Sequence, residues 1–287
     1  MEEVIHNGCM VAQYQTVINH AQERIEGFEA LSRPWWKVSI PPDLFFERAV
    51  HFGMSYEVDM TAIKRAMDMF WYRDVNRTNL FFNALPTTVL HPGFLKDLER
   101  VLVSSGAPTD QLVLEITESV PYNVLKLTDT LKAVKSMGIR IALDDVGRGS
   151  ASLSAIAHVE PDFIKIDRSL VDGISQSPEK QRVVAALVDF MGDGSGIVAE
   201  GIESQNDLFT AMGLGIELSQ GFYWSEAAHL SDVDLLQLEL EMKRVTLYRI
   251  GTIDGFSYGL PLLIEKSHEI DELVNQVMKR HGPSDTY

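Results

Sequence analysis

The sequence predicts an α/β fold, and three observations narrow this prediction to a TIM-like (β/α)8 barrel. Short apolar runs alternate with helical patterns along most of the chain, which is typical of a parallel sheet covered by helices. The 287 residues are enough for one such barrel, which typically needs about 250 residues. A polar residue also recurs near the end of nearly every predicted strand. The carboxyl ends of the strands form the active-site face of a barrel.

The individual elements follow from apolar periodicity and from glycines at the predicted helix ends. Strands are predicted at 112–116, 139–145, 162–167, 196–201 and 218–224, and helices at 92–106, 122–138, 152–159, 179–194 and 205–215. The strands are nearly continuous in apolar residues, as expected when both faces of a sheet are buried. An open doubly wound sheet is the competing architecture. It has no support from a GxGxxG motif after the first strand.

Polar residues inside the apolar strands favour the closed barrel over the open sheet. They are Glu29, Asn83, Glu115, Asp145, Lys165, Glu200 and Gln220. Their mean spacing is close to the roughly 30 residues of one strand-helix unit in an eightfold barrel. Each residue alone has an ordinary explanation, such as a helix cap or a snorkelling lysine. Together they predict a ring of polar side chains at one end of the barrel.

Several carboxylates that converge in a buried site need cations, since buried carboxylates are rare unless they are paired or ligated. Oxygen donors favour Mg²⁺, Mn²⁺ or Ca²⁺ over zinc, and the sequence has no HExxH motif. The number of donors fits two metal ions, an arrangement that serves in-line displacement at phosphorus. Lys165 would orient the attacking water, or accept its proton if burial lowers the lysine pKa.

Composition argues against several other classes of protein. The formal net charge is −16 and no long basic run exists, so we expect no nucleic-acid partner. No apolar stretch of about 18 residues is present, so we expect no membrane segment. The N-terminus MEEVIH is acidic where a signal peptide would be basic, and the single cysteine, Cys9, suits a reducing compartment. These features predict a cytoplasmic protein.

Seven motifs, in order, resemble those of the EAL family of cyclic di-GMP phosphodiesterases. They are FEALSR, LFFNALP, LEITES, IALDDVGRGSASL, DFIKIDRSLV, VAEGIES and LSQGFYWS. Several independent motifs in one order are far more specific than a lone three-letter motif. The resemblance covers roughly residues 10–230. It implies a modified (β/α)8 barrel that opens cyclic di-GMP to linear pGpG with Mg²⁺ or Mn²⁺, and it implies a homodimer.

The resemblance also implies a metal-binding and catalytic set. The implied metal ligands are Glu29, Asn83, Glu115, Asp144, Asp145 and Glu200. Lys165 matches the lysine that helps to activate the attacking water, and it forms the catalytic set with Glu29 and Glu203. Glu203 is similar to an acid that supports the ligands.

A second group of residues is implied to bind the substrate or to support a loop. Arg33 matches the arginine that contacts a substrate phosphate, and Gln220 matches the amide that holds a metal-bound water. Gln15 is placed with them in the substrate-binding set. Glu118 resembles the acid that steadies the loop after Asp145.

The chain departs from the family pattern at three places. The loop after the aspartate pair usually reads Phe-Gly-Thr/Ala-Gly-Tyr-Ser-Ser, whereas it reads VGRGSAS here, with Arg148 where a small residue is usual. The usual Tyr-Gln-Pro is Tyr14-Gln15-Thr16, and the usual basic-Pro pair after the last strand is Glu226-Ala227. None of these changes replaces an implied ligand.

Three hypotheses on function therefore remain. The first is a working phosphodiesterase, and the second is a catalytically weak or inactive domain that binds cyclic di-GMP or a protein. Retention of every implied ligand favours the first, because buried carboxylates cost stability unless a cation pairs with them. The third is a glycosidase barrel with two carboxylates as acid and nucleophile. It leaves Lys165 and Asn83 unexplained.

The sequence predicts a division of the chain at residue 230. Residues 1–230 are predicted to form the barrel, and residues 231–287 a mostly helical extension that packs on the barrel or on a partner subunit. Amphipathic helices are predicted at 231–250 and 268–282. An extension of this size would form only a marginal core by itself.

Overall fold

The strands of the protein close into one eight-stranded barrel, in which they are neighbours in sequence order. The computed structural model describes residues 10–35, 40–70, 78–117, 124–148, 152–192, 194, 196–253 and 260–281. The strands are β1 (Met10–Asn19), β2 (Arg24–Pro34), β3 (Asn79–Ala84), β4 (Leu112–Thr117), β5 (Arg140–Val146), β6 (Phe163–Ile166), β7 (Ile197–Ala199) and β8 (Leu218–Ser219). The predicted barrel is confirmed.

Helices cover the outside of this barrel. They are α1 (Pro42–His51), α2 (Ser55–Phe70), α3 (Pro86–Val89), α4 (Phe94–Ser105), α5 (Val124–Ser136), α6 (Ser152–Val159), α7 (Arg168–Val171), α8 (Pro178–Met191), α9 (Gln205–Gly213), α10 (Leu235–Ile253) and α11 (Leu260–His281). Their apolar faces pack on the outer side of the strands in one continuous core. None of the described helices combines the length and the apolar character that a membrane crossing requires.

The barrel is modified at its first strand. β1 is antiparallel to both of its neighbours, β2 and β8, whereas the other neighbouring pairs are parallel. β1 and β2 form a hairpin whose turn contains Glu23 at a φ of 51°. The register of the hairpin pairs Gln15 with Glu29. We call the end of the barrel at which β2 to β8 finish the mouth.

Two predicted strands are wrong at their carboxyl ends. The strand predicted at 196–201 ends at Ala199, and the strand predicted at 218–224 ends at Ser219. Gly221 has a φ of 153°, and a Cβ atom there would lie 2.2 Å from the backbone oxygen of Ile202. This close approach of two backbones turns the chain out of the sheet. Glu200 and Gln220 therefore lie just beyond their strands, at the mouth.

The barrel interior has an apolar layer that we call the floor. It consists of Val17, Phe81, Val113, Ala142, Phe163, Val198 and Leu218, all of them buried. Gly27 completes this level, because a Cβ atom at Gly27 would lie 2.8 Å from the Phe81 ring. The floor is separate from the larger core between strands and helices.

The two C-terminal helices contact each other and the barrel. Lys266 Nζ lies 2.8 Å from Glu23 Oε2 in the β1–β2 turn, and Lys243 Nζ lies 2.5 Å from Glu269 Oε2. The Tyr248 ring of α10 stacks on Phe209 of α9 at a centroid distance of 5.1 Å. α11 begins at Leu260, eight residues earlier than predicted. The domain division at residue 230 stays a prediction.

Candidate active site

A layer of polar side chains lies directly above the floor, because each polar residue follows an interior residue by two positions. The pairs are Gly27 and Glu29, Phe81 and Asn83, Val113 and Glu115, Ala142 and Asp144, Phe163 and Lys165, Val198 and Glu200, and Leu218 and Gln220. Residues two apart in a strand face the same side. In β5 this places Asp144 in the interior row. Asp145 follows with a left-handed φ of 57°.

Lys165 is the centre of this layer. Its side chain is completely buried, and its Nζ atom lies near four carboxylates. The distances from Nζ are 2.7 Å to Glu200 Oε1, 2.8 Å to Glu29 Oε2, 3.0 Å to Glu115 Oε1 and 3.7 Å to Asp144 Oδ1. The structure therefore brings together the residues that the sequence predicts for the ends of β2, β4, β5, β6 and β7.

The charge state of Lys165 differs from one suggestion of the sequence analysis. Burial alone lowers the lysine pKa, but the surrounding charges of Asp144, Glu115, Glu200 and Glu29 raise this pKa well above its ordinary value. These charges favour the protonated, cationic form of Lys165. The direction of the shift is opposite to the one that a proton-accepting Lys165 would need. Lys165 is instead a hydrogen-bond donor.

The carboxylates around Lys165 differ in their pKa values. Burial raises the pKa of Glu115 well above its usual value, that of Glu200 to about 8 and that of Asp144 to about 6. Burial opposes ionisation of Glu29 too, but the charge of Lys165 and hydrogen bonds from Lys165, Gln220 and Asn83 outweigh it and lower the Glu29 pKa. Burial and mutual repulsion therefore oppose the simultaneous ionisation of these acids, and the positive charge of Lys165 offsets this only in part.

The amides at the mouth orient Glu29. Asn83 Nδ2 donates to Glu29 Oε1 at 3.0 Å, and Gln220 Nε2 donates to Glu29 Oε2 at 2.7 Å. Gln220 Nε2 also donates to Gln15 Oε1 at 3.0 Å. All three amides were assigned to the site from sequence; Asn83 and Gln220 bond Glu29 directly, and Gln15 bonds Gln220.

The donor set fits divalent metal ions. Asp144, Asp145 and Glu200 each offer a carboxylate oxygen, and these oxygens lie within 4.8 Å of one another. Two buried oxygens also lack a hydrogen-bond or ion-pair partner among the described residues, Glu115 Oε2 and the amide oxygen Oε1 of Gln220, while Glu115 Oε1 has only the Lys165 ammonium at 3.0 Å. Carboxylate and amide oxygens are the ligands that Mg²⁺ and Mn²⁺ prefer. Unpartnered buried oxygens are costly unless a cation or water satisfies them.

A cavity of about 360 Å³ opens beside the carboxylates, within the size range of ligand pockets. Arg33 lines this cavity together with Glu29, Asn83 and Asp144. The Arg33 guanidinium is held by Gln13, whose Oε1 accepts from Arg33 Nε at 3.0 Å. The cation predicted to bind a phosphate thus shares one cavity with the predicted metal ligands.

Other predicted residues lie farther from the centre or outside the described residues. The Glu203 carboxylate is 40% exposed and pairs with Arg168 Nη1 at 2.9 Å. Arg148 is 73% exposed, and its Nη1 lies 3.9 Å from Asp145 Oδ1. Glu118 and the loop residues 149–151 lie outside the described residues. The roles predicted for Glu203 and Glu118 stay predictions.

The sequence analysis missed two acids in the cavity wall, Asp43 and Asp59. Asp59 lies on the buried face of α2, three, four and seven residues before Ala62, Ile63 and Ala66. An acid on an apolar helix face was the signal that could have revealed it. Asp59 Oδ2 accepts a hydrogen bond from the Leu85 backbone N–H at 2.9 Å, just after β3.

We expect Asp59→Asn to reduce the pH dependence of stability. Burial raises the Asp59 pKa to about 6, whereas an unfolded aspartate titrates near about 3.9. The neutral acid therefore favours folding below pH 4, and this contribution is lost as the pH rises through 6. It amounts to about 3 kcal/mol at most. Urea unfolding between pH 4 and pH 8 measures the difference in slope, and identical slopes for the variant and the parent protein would contradict the expectation.

The sequence and the structure are similar to those of known proteins. The sequence profile of the EAL domain matches residues 1–227. The chain is 29% identical over 254 residues to the probable cyclic di-GMP phosphodiesterase PdeG of Escherichia coli K12, which covers 85% of this chain and 49% of that protein. It is also 29% identical over 202 residues to the cyclic di-GMP phosphodiesterase PdeA of Borreliella burgdorferi, over 69% of this chain and 29% of that protein.

Among solved structures, Klebsiella pneumoniae BlrP1 in complex with manganese and cyclic di-GMP is similar to the chain. It has a TM-score of 0.70 and 30% identity, over 77% of this chain and 56% of that one. A calcium and cyclic di-GMP complex of the same protein has a TM-score of 0.69. The chain thus spans 49% of the length of PdeG and 29% of that of PdeA.

Proposed function

The chain belongs to the EAL-domain family, and from this membership and the site geometry we propose that it hydrolyses cyclic di-GMP to linear pGpG with the help of divalent metal ions. The observation that carries the proposal is the convergence of Glu29, Glu115, Asp144 and Glu200 on the buried ammonium of Lys165. Relatives named as cyclic di-GMP phosphodiesterases and a relative solved with manganese and this dinucleotide support it.

The proposed metal ligands are the six oxygen donors at the mouth: Glu29, Asn83, Glu115, Asp144, Asp145 and Glu200. We propose Mg²⁺ or Mn²⁺, with two ions per site, since more donors are present than one small ion needs. Such ions lower the pKa of a bound water and offset the charge that develops on phosphate oxygens. The unpartnered oxygens of Glu115 and Gln220 support this assignment.

The protein's own side chains position the reactants. Arg33 binds a phosphate oxygen of the substrate from the cavity wall, where Gln13 holds its guanidinium. Lys165 Nζ donates hydrogen bonds that fix the Glu29 and Glu200 carboxylates, and its charge stabilises the negative charge of the attacking oxygen. Gln220 Nε2 keeps Glu29 oriented. The apolar floor beneath them excludes water from the other side.

One assay decides between hydrolysis and binding without turnover. The protein is incubated with cyclic di-GMP and Mn²⁺ or with EDTA, and pGpG is quantified by chromatography while binding is measured by calorimetry. We expect pGpG with Mn²⁺ and none with EDTA. Tight binding without pGpG would favour the receptor hypothesis, and absence of both would contradict the proposal. Sedimentation of the same sample tests the proposed homodimer.

Arg148 is expected to contribute little to turnover, although it replaces a small residue of the family pattern. An exposed ion pair is worth about 0–1 kcal/mol, and the Arg148 guanidinium is 73% exposed at 3.9 Å from Asp145. Arg148→Thr should therefore change kcat by less than about fivefold. A larger loss, measured with saturating Mn²⁺, would show that Arg148 contacts the substrate or the ligands directly.

A further inference from the structure

The segment that follows β8 folds back onto β1 beside the site. Tyr14 N donates to Ala228 O at 2.7 Å, and Ala228 N donates to Tyr14 O at 3.1 Å. Two residues farther along β1, the hydroxyl groups of Thr16 and Ser225 lie 2.7 Å apart. Thr16 is completely buried, and its backbone N–H donates to Ser225 Oγ at 3.4 Å. The two hydroxyls join β1 to the returning segment.

A chain of hydrogen bonds leads from this hydroxyl pair to Glu29. Gln15 Nε2 donates to the Ser225 carbonyl at 2.9 Å, and Gln15 Oε1 accepts from Gln220 Nε2 at 3.0 Å. Gln220 Nε2 also donates to Glu29 Oε2 at 2.7 Å. Two side chains, Gln15 and Gln220, thus connect the Ser225 backbone carbonyl to the predicted metal ligand Glu29.

The groups at the two ends of this series of hydrogen bonds determine which atoms donate and which accept. A backbone carbonyl only accepts, so Gln15 presents its NH₂ group to Ser225 and its oxygen to Gln220. The ionised Glu29 also only accepts, so both N–H bonds of the Gln220 amide are in use. The amide oxygen, Gln220 Oε1, is left buried without a partner among the described residues. It is therefore available to a cation or to a bound water.

We propose that Thr16 and Ser225 are positioning residues, which fix the Ser225 carbonyl so that Gln220 presents an oxygen rather than an NH₂ group to the metal site. The inference rests on the proposed function for its catalytic consequence, but not for its effect on metal binding. Thr16 is one of the residues at which the chain departs from the family pattern, and the proposed reaction gives it no other role. Without the hydroxyl pair, the Ser225 carbonyl is held less firmly and the Gln15 amide can turn over. A Gln15 NH₂ group that faces Gln220 then competes with Glu29 for the direction of the Gln220 amide.

Thr16→Val tests the proposal, since valine has the shape of threonine without the hydroxyl. We expect the dissociation constant for Mn²⁺, measured by electron paramagnetic resonance on the metal-free full chain, to rise about tenfold, as is typical when a partner of a metal-ligand shell is lost. With cyclic di-GMP, kcat should fall by a similar factor while KM stays within about twofold. Thr16→Ser keeps the hydroxyl and should restore both values.

Two further variants separate positioning from a general loss of stability. Thr210→Val removes a hydroxyl that bonds the Asn206 carbonyl on the exposed face of the outer helix α9. It should leave Mn²⁺ binding unchanged. Thr16→Val combined with Ser225→Ala should lower Mn²⁺ affinity by little more than Thr16→Val alone, because both remove the hydroxyl pair and the double variant loses in addition only the long Thr16 N–H bond to Ser225 Oγ.

The Mn²⁺ binding measurements make the test independent of the proposed function. The proposal is overturned if Thr16→Val lowers only the melting temperature and binds Mn²⁺ like Thr210→Val, or if Thr16→Ser fails to restore binding. A parent protein that binds Mn²⁺ but neither binds nor hydrolyses cyclic di-GMP would contradict the proposed function alone. In that case the Mn²⁺ titrations still decide on Thr16 and Ser225.

Discussion

Lys165→Met should lower turnover by about 10²–10⁴-fold and destabilise the metal-free protein by about 3–5 kcal/mol. Methionine fills the volume of the lysine but leaves the Glu29, Glu115 and Glu200 carboxylates without the cation that lies 2.7–3.0 Å from each of them. Removal of one partner from a buried ionic group is strongly destabilising, because the remaining charges stay desolvated. Urea unfolding in EDTA measures the stability, and pGpG formation in Mn²⁺ measures the turnover.

Metal ions and a matched lysine provide the controls for this experiment. Added Mn²⁺ should return part of the stability of Lys165→Met, since a divalent cation replaces the lost positive charge. Lys266→Met removes a partly buried lysine that pairs with Glu23 in the β1–β2 turn, outside the site. This variant should leave turnover within about twofold of the parent protein. If metal-free Lys165→Met were as stable as the parent, Lys165 would not hold the carboxylates together.

Glu29→Gln should reduce turnover on the order of 10³-fold, which corresponds to about 4 kcal/mol of lost stabilisation. Glu29 accepts from three donors: Lys165 Nζ, Gln220 Nε2 and Asn83 Nδ2. Glutamine has one acceptor oxygen, so its NH₂ group faces a donor on one side. Asn83 can relieve this conflict by turning its amide, but its oxygen then points at residue 29 instead of a metal ion. The variant should therefore stay folded and bind Mn²⁺ weakly.

Glu26→Gln is the matched control on the same strand. Glu26 is also buried in β2, but it bonds Asn19, Asn79 and Arg24 at the end of the barrel opposite the mouth. Its replacement should cost stability and leave Mn²⁺ affinity and kcat close to those of the parent protein. Equal losses of Mn²⁺ affinity in Glu26→Gln and Glu29→Gln would show that a general loosening of β2, rather than the lost ligand, is responsible.

The interval between polar residues was sufficient to predict the barrel and the gathering of polar side chains at one end of it. A strand-helix unit has a nearly constant length, and a polar residue at each strand end repeats with that length. The finer two-residue phase was also present in the sequence, since each polar residue follows a floor residue by two positions. In β5 this two-residue step leads from Ala142 to Asp144 and so assigns Asp144, rather than Asp145, to the barrel interior. The spacing between strands alone does not separate these two residues.

Contacts between distant segments could not be predicted from the sequence. Thr16 and Ser225 are 209 residues apart and meet only because β1 runs antiparallel to its neighbours. The charge state of Lys165 depends on the distances to four carboxylates, which no sequence pattern supplies. Short strands such as β8 end where the backbones at Gly221 and Ile202 meet, and this too is a tertiary effect.

The apolar floor closes the site at one end, so that the site opens only at the mouth. Bulk solvent exchanges with the Lys165 ammonium and the acids around it from the mouth, which is also the entrance for the substrate. Under the proposed function, a dinucleotide bound across the mouth would close the site, and the protons already in the site would be the ones available to the reaction. The hydrogen isotopes bound to the side chains of the site would then come from the water that was present before the dinucleotide bound.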